Sequence, residues 1–283
     1  MGYILVNNEV MEREAVMDIE DRAYQFGDGV YEVIGVYKEE PFMIDEHLER
    51  LERSAKAIRL TLPFTIYALK RQLLDLVEKN KVHEGIIYLQ ISRGIASREH
   101  YFPGKEVSPV TVAYTREEAP TTEIENNGAQ AVLTDDIRWM RCDIKTLNLL
   151  PNVLAKQKAV ENGAVEAILH RDEIVTEGSA SNVFIVKDGI VYTHPANHYI
   201  LNGITRQKIL RLCAQKEIIV KEETYCVDDL LAAEEVFISA TKLDVIPILK
   251  VDDNVISDGR PGTLTKRIVE AYRESIVKSG VQQ

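Results

Sequence analysis

The chain opens on a short apolar run that ends at a polar pair. Tyr3-Ile4-Leu5-Val6 runs into Asn7-Asn8, which predicts two short strands around a turn. An alternation follows Gly27 and Gly29, with Val30, Glu32, Ile34 and Val36 on one face and Tyr31, Val33 and Tyr37 on the other. At residue 45 the period becomes helical: Leu48, Leu51, Ala55 and Ile58 form one stripe, with Asp45 as the predicted N-cap. Leu69, Leu73, Leu76 and Val77 predict a second helix over 66–79. Strands are predicted over 85–93 and 107–115, with Pro109 marking an edge or a strand start. Between them lies the loop 94–103, and the turn-rich stretch 116–127 reads as a linker.

Beyond it the pattern predicts a strand over 129–134 and a helix over 151–162, with Pro151 in its first turn and Gly163 past its end. A strand over 165–170 precedes the turn 171–173, and strands 182–186 and 190–193 form a hairpin across Lys187-Asp188-Gly189. A helix opens at 203–205 and runs to 216, strands follow at 235–240 and 245–251, and a helix over 263–276 comes last. The exposed N–H groups at 203–205 suit a phosphate.

Composition narrows the function. With 45 acidic and 34 basic residues the net charge is -11, which argues against nucleic acid or an anionic membrane as the main partner. Cys142, Cys213 and Cys226 have neither paired number nor metal spacing, so no metal is expected and the thiols read as free in a reducing compartment. No basic-then-apolar leader and no run of membrane-spanning length is present, and a cytoplasmic location is expected.

The candidate chemistry centres on Lys145, which is followed downstream by Glu177 in a Gly/Ser turn predicted to open a strand. Such a pair suits pyridoxal phosphate, because the lysine forms a Schiff base with the aldehyde and the carboxylate keeps the ring nitrogen protonated. Taken singly, Tyr31 reads as a core or rim aromatic, Arg50, beside Leu51, as partly buried at the stripe's margin or more plainly as a surface ion-pairing arginine, and Arg98 and His100 as part of a solvated loop.

Six motifs in order change that reading: Tyr-Gln-Phe-Gly-Asp-Gly-Val-Tyr-Glu-Val (24–33), Arg50 within Glu-His-Leu-Glu-Arg-Leu, Arg98-x-His100, Asp-Ile-Lys-Thr-Leu-Asn (143–148), Glu-Gly-Ser-x-Ser-Asn-Val-Phe (177–184) and Gly-Ile-Thr-Arg (203–206). Together they resemble the fold type IV pyridoxal phosphate enzymes, and most of all the bacterial D-amino acid aminotransferases. The resemblance implies an α+β fold, with a small N-terminal sandwich-like domain (1–118), a linker (119–127) and a larger barrel-like cofactor domain (128–283). It implies that Lys145 binds pyridoxal 5'-phosphate covalently and shuttles a proton, that Glu177 pairs with the ring nitrogen, and that Leu201 packs on the ring. Arg50, the backbone at Ile204 and Thr205, and Thr241 would bind the phosphate. Tyr31, Arg98 and His100 would bind the substrate carboxylate, the last two from the partner subunit of a homodimer. The implied reaction is ping-pong transfer of an amino group between D-amino acids and 2-oxo acids. Branched-chain L-aminotransferase, aminodeoxychorismate lyase and a non-catalytic cofactor-binding homologue are the alternatives. Three positions depart from the pattern: Gly35, where a larger side chain is usual, Ala180, where serine is common, and Ala240, where a hydroxyl residue adds a phosphate contact.

Overall fold

The computed structural model describes residues 2–13, 18–119 and 122–279. It divides into two compact units, Met1–Ala119 with Ile144–Asn148, and Pro120–Asp143 with Leu149–Gln283. The lysine segment thus belongs with the first unit, although its place in the sequence lies within the second.

In the first unit the elements are β1 (Tyr3–Val6), β2 (Glu9–Glu12), α1 (Arg22–Phe26), β3 (Gly29–Tyr37), β4 (Glu40–Pro41), α2 (Ile44–Ala57), α3 (Ile66–Asn80), β5 (Glu84–Ser92) and β6 (Val110–Glu117). The strands form one antiparallel sheet in the order β2-β1-β6-β5-β3-β4. Alternation decides its faces. Val30, Ile34, Val36, Ile87, Leu89 and Ile91 pack with Leu48, Leu51, Leu69 and Leu73 of the two long helices in one buried cluster. The opposite face carries an aromatic row, Tyr31 on Tyr88 and Tyr88 on Tyr114, with centroids 6.0 and 5.1 Å apart.

β4 pairs only with Val36 and Tyr37, which leaves the first half of β3 open along that edge. Residues 144–148 take up the opening. Lys145 C=O accepts from Tyr31 N–H (3.1 Å), Leu147 N–H donates to Gly29 C=O (3.1 Å), and Thr146 bridges Val30. Gly29 is required there: an added Cβ would stand 2.5 Å from Ile91 O and 2.8 Å from the Leu147 side chain.

The second unit contains α4 (Thr122–Asn127), β7 (Ala129–Asp135), α5 (Leu150–Glu161), β8 (Glu166–Arg171), β9 (Ile174–Gly178), β10 (Asn182–Lys187), β11 (Ile190–Thr193), α6 (Ile204–Gln215), β12 (Val220–Glu222), α7 (Val227–Leu231), β13 (Glu235–Ala240), β14 (Asp244–Val251), β15 (Asn254–Val255) and α8 (Thr263–Ser279). Its mixed sheet runs β12-β11-β10-β13-β14-β7-β8-β9, with β15 beside β14. β10 and β9 stand five steps apart along this path, about 24 Å in a flat sheet. Residues 178 and 182 are four Cα steps apart, at most about 15 Å. The sheet therefore curls, as a barrel-like domain requires.

The architecture is α+β, as the resemblance implies. Boundaries differ where the tertiary context prevails. Asp45 does not cap α2: Met43 takes that place at φ 54°, and Asp45 lies in the first turn, where its carboxylate meets Lys70 Nζ at 2.7 Å. β6 starts at Val110 because Pro109 has no N–H for the ladder. Within the expected linker, Arg116 and Glu117 complete β6, Pro120 and Thr121 lie outside the described residues, and α4 forms with buried Glu125 paired to Arg273 of α8. Glu177 is the next-to-last residue of β9, and the Gly/Ser turn that follows opens the strand β10, as expected.

Leu73 is fully buried between α3 and the sheet, while its neighbour Leu74 is 40% exposed. Leu73→Ala should lower unfolding free energy by about 2–5 kcal/mol, against under about 0.5 kcal/mol for Leu74→Ala. Urea denaturation of both variants measures the difference, and equal losses would contradict the assigned face.

Candidate active site

Each unit carries a cluster of charged side chains. In the first, the hydrogen bonds of 144–148 to β3 set Lys145 beside Tyr31. Lys145 Nζ is 3.3 Å from Tyr31 Oη and 4.3 Å from the ring centroid, and Lys145 N–H donates to Ser54 Oγ of α2 (3.3 Å). Tyr31 is half-buried, and its ring is held by Tyr88.

Arg50 is buried, not a surface arginine. Its Nε and Nη2 donate to Glu32 Oε1 and Oε2, each at 2.8 Å, and His47 Nδ1 lies 2.8 Å from Glu32 Oε2. Glu32, His47 and Arg50 are at most 3% exposed. Burial alone would push the Glu32 carboxyl up, but Arg50 and then His47 outweigh it and hold it at about 2. Burial also lowers His47, against the raising effect of its contact with Glu32. The sequence reading missed Glu32 and His47 as partners. A signal existed: Glu32 is the one acid among the inward positions Val30, Ile34 and Val36, and His47 and Arg50 are three apart, on one face of α2.

Arg98 and His100 lie exposed in the loop after β5. Both rest on Phe26 of α1, the Arg98 cation 4.9 Å from the ring centroid and the His100 ring edge-on at 5.6 Å. Buried Arg22 supports them, donating to Asp28 Oδ2 (2.8 Å) and to Glu99 C=O (2.7 Å). Among the described residues neither Arg98 nor His100 has a hydrogen bond or ring contact with Tyr31. The space over Gly35 is not vacant, since an added Cβ would meet the Tyr37 ring at 2.9 Å.

In the second unit Glu177 is 5% exposed and surrounded by donors: Arg138 Nη1 (2.5 Å), Asn182 Nδ2 (3.0 Å) and Leu201 N–H (3.1 Å). Arg138 is also bidentate on Asp136 (2.9 and 2.8 Å), and Asp136 meets Arg171 Nε (3.1 Å) and the Thr176 hydroxyl (3.0 Å). Asn182 Nδ2 also reaches Leu201 C=O (2.8 Å). Two residues on, α6 begins at Gly203, a cap with no side chain to satisfy the N–H groups of Ile204 and Thr205. A Cβ on Gly203 would stand 2.2 Å from Asn182 Oδ1. Thr205 is buried with its hydroxyl 3.5 Å from Tyr272 Oη, and Thr241 follows β13 directly after Ala240. Arg138, Asp136 and Asn182 are the residues around Glu177 that the sequence reading did not single out.

Burial raises Glu177 from 4.5 to about 7 despite the opposing Arg138 charge. An acid raised in this way keeps, in the folded state, a proton that the unfolded chain has already lost between those values. The stability of the ligand-free protein should therefore fall as pH rises from about 4.5 to 7, by on the order of 3 kcal/mol. Urea unfolding of wild type and Glu177→Gln from pH 4.5 to 8 measures this. The variant should lose the slope, and identical profiles would rule the assignment out.

A family model described as amino-transferase class IV matches residues 29–251. D-alanine aminotransferase of Bacillus licheniformis is 48% identical over 275 residues, 97% of each chain. That of Staphylococcus aureus (strain MSSA476) is 48% identical over 278 residues, 98% of each. Among solved structures, Escherichia coli branched-chain amino acid aminotransferase matches with a TM-score of 0.89 at 27% identity, covering 96% of this chain and 94% of the other. The T.th. branched-chain enzyme with pyridoxamine 5'-phosphate gives 0.89 at 28%, covering 97% and 94%. With its motifs, its fold and these matches in agreement, the chain belongs to the class IV aminotransferases.

Proposed function

We propose that this chain is a D-amino acid aminotransferase, which transfers an amino group from D-alanine, D-glutamate and other D-amino acids to 2-oxo acids such as 2-oxoglutarate or pyruvate, with pyridoxal 5'-phosphate as cofactor. The observation that carries it is the 48% identity to D-alanine aminotransferases over nearly the whole chain. Identity to the branched-chain enzymes of the same fold is 25–28%.

The donor set fits the cofactor: an amine at Lys145, a buried carboxylate at Glu177, and a helix start whose cap has no side chain. When bound, pyridoxal phosphate supplies an aldehyde that condenses with amines and a protonated ring that withdraws electrons from the substrate Cα. Lys145 Nζ holds the cofactor and then carries the proton to and from Cα, with the Tyr31 hydroxyl beside it. Glu177 keeps the proton on the ring nitrogen, and Asn182 and the Leu201 N–H orient its carboxylate. The Leu201 side chain would pack on the ring. Arg50, the N–H groups of Ile204 and Thr205, and Thr241 hold the phosphate, and Glu32 fixes the plane of the Arg50 guanidinium.

Tyr31, Arg98 and His100 bind the substrate carboxylate, the latter two across a homodimer. Exposed apolar side chains on the second unit, including Ile137, Trp139, Met140, Leu150 and Leu154, support association with a second copy. No described helix is long and apolar enough to cross a membrane, and the three free cysteines support a cytoplasmic location.

Borohydride reduction of the yellow holoenzyme should fix the cofactor on Lys145, and peptide mapping that finds another lysine would remove Lys145 from this role. D-alanine should react with 2-oxoglutarate, and L-leucine and L-valine should not. Arg98→Met should raise KM for several D-substrates together by at least about tenfold, because all share the carboxylate, without changing the cofactor spectrum. A preference for L-leucine, or intact D-alanine turnover in Arg98→Met, would overturn the D-specific reading in favour of the branched-chain one.

A further inference from the structure

A second buried carboxylate lies behind Glu177. Glu166, the first residue of β8, is 0% exposed. Its Oε1 accepts from Ala167 N–H (2.8 Å), Ser179 N–H (3.2 Å) and the Ser179 hydroxyl, and its Oε2 accepts from Ala180 N–H (3.3 Å) and the Ser181 hydroxyl (2.8 Å). The neighbouring cation, Lys156 Nζ, is 3.9 Å away on a side chain that is 42% exposed. The carboxylate is thus met chiefly by dipoles, most of them from one turn.

That turn joins β9 to β10 and has Glu177 before it and Asn182 after it. It is closed by Gly178 N–H to Ser181 C=O (2.7 Å), tied to β8 through Ser179 N–H and Ala167 C=O (2.9 Å), and held from α5 by Asn152 Nδ2 on Ser179 C=O (2.8 Å). A Cβ on Gly178 would stand 2.1 Å from Ser181 Oγ and 3.1 Å from Glu166 Cδ, so glycine is what lets the turn seat on the acid. Ala180 contributes its backbone N–H while its side chain is exposed, so the usual serine hydroxyl is not needed for this network.

We propose that Glu166 is a positioning residue: its carboxylate gathers the donors of the turn 178–181 and so sets the separation and orientation of Glu177 and Asn182. The proposal rests on the reading of Glu177 as partner of the cofactor ring nitrogen. A carboxylate accepts at both oxygens. Glutamine would present an NH2 group to one set of donors, and the backbone N–H groups there cannot reverse their role. The turn would shift, and the acid at its end with it.

The test uses the full chain, stripped of cofactor and titrated with pyridoxal phosphate, together with steady-state turnover of the reloaded enzyme. Glu166→Gln should weaken cofactor binding about tenfold and lower kcat about as much, with KM for D-alanine changed less than about twofold. Ser181→Ala, which removes one donor, should move both in the same direction by less, and it covers the case in which Glu166→Gln does not fold. Because Glu166 acts through Glu177, the kcat of Glu166→Gln/Glu177→Gln should match that of Glu177→Gln within about twofold. Effects that multiply in the double variant, or a lowered melting temperature with unchanged cofactor affinity and kcat, would overturn the proposal. Wild-type turnover in Glu177→Gln would sink the underlying reading of Glu177, and the proposal with it.

Discussion

The backbone pairing of residues 144–148 with the open half of β3 is the constraint on which the first unit's chemistry depends. Two hydrogen bonds, Tyr31 N–H to Lys145 C=O and Leu147 N–H to Gly29 C=O, hold a segment far downstream in sequence on this sheet. Because strand side chains alternate, the same pairing sends Tyr31 to the aromatic face and Glu32 to the helix-covered one. One stretch of strand thereby serves the lysine through its backbone and the arginine through its next side chain.

Both charge clusters obey a common rule. A buried charge is tolerated only where partners replace water, and breaking such a pair costs far more than its net contribution to stability. Glu32 is answered by Arg50 and His47 and stays well below the usual carboxylate range. Asp136, squeezed between Arg138 and Arg171, is likewise held low although burial pushes it up. Glu177 differs: burial prevails over Arg138, and the carboxyl rises to about 7. An acid so poised gains from a cation placed against it, which is consistent with the proposed pairing to a protonated ring. Arg138 itself is divided between Glu177 and Asp136, so its charge is shared rather than spent on one acid.

The sequence by itself marked Lys145 and Glu177 as candidates, implied the α+β class through the family resemblance, and determined most of the long elements. These follow from local rules, in that period 2 or 3.6 in side-chain polarity, proline at a first turn and glycine past an end each act within a few residues. The ordered motifs, which run from residue 24 to residue 206, also carried the family. What the tertiary structure decided are facts about distant partners. That 144–148 belongs with the first unit depends on an open strand edge left by the two-residue β4. That Arg50 is buried depends on an acid eighteen residues earlier on the facing strand. That β9 precedes the Glu177 turn depends on β8, whose Glu166 collects donors thirteen to fifteen residues away. Polarity patterns give each residue a face, whereas the partner on the facing element is chosen by packing and by the cost of leaving a buried charge unanswered.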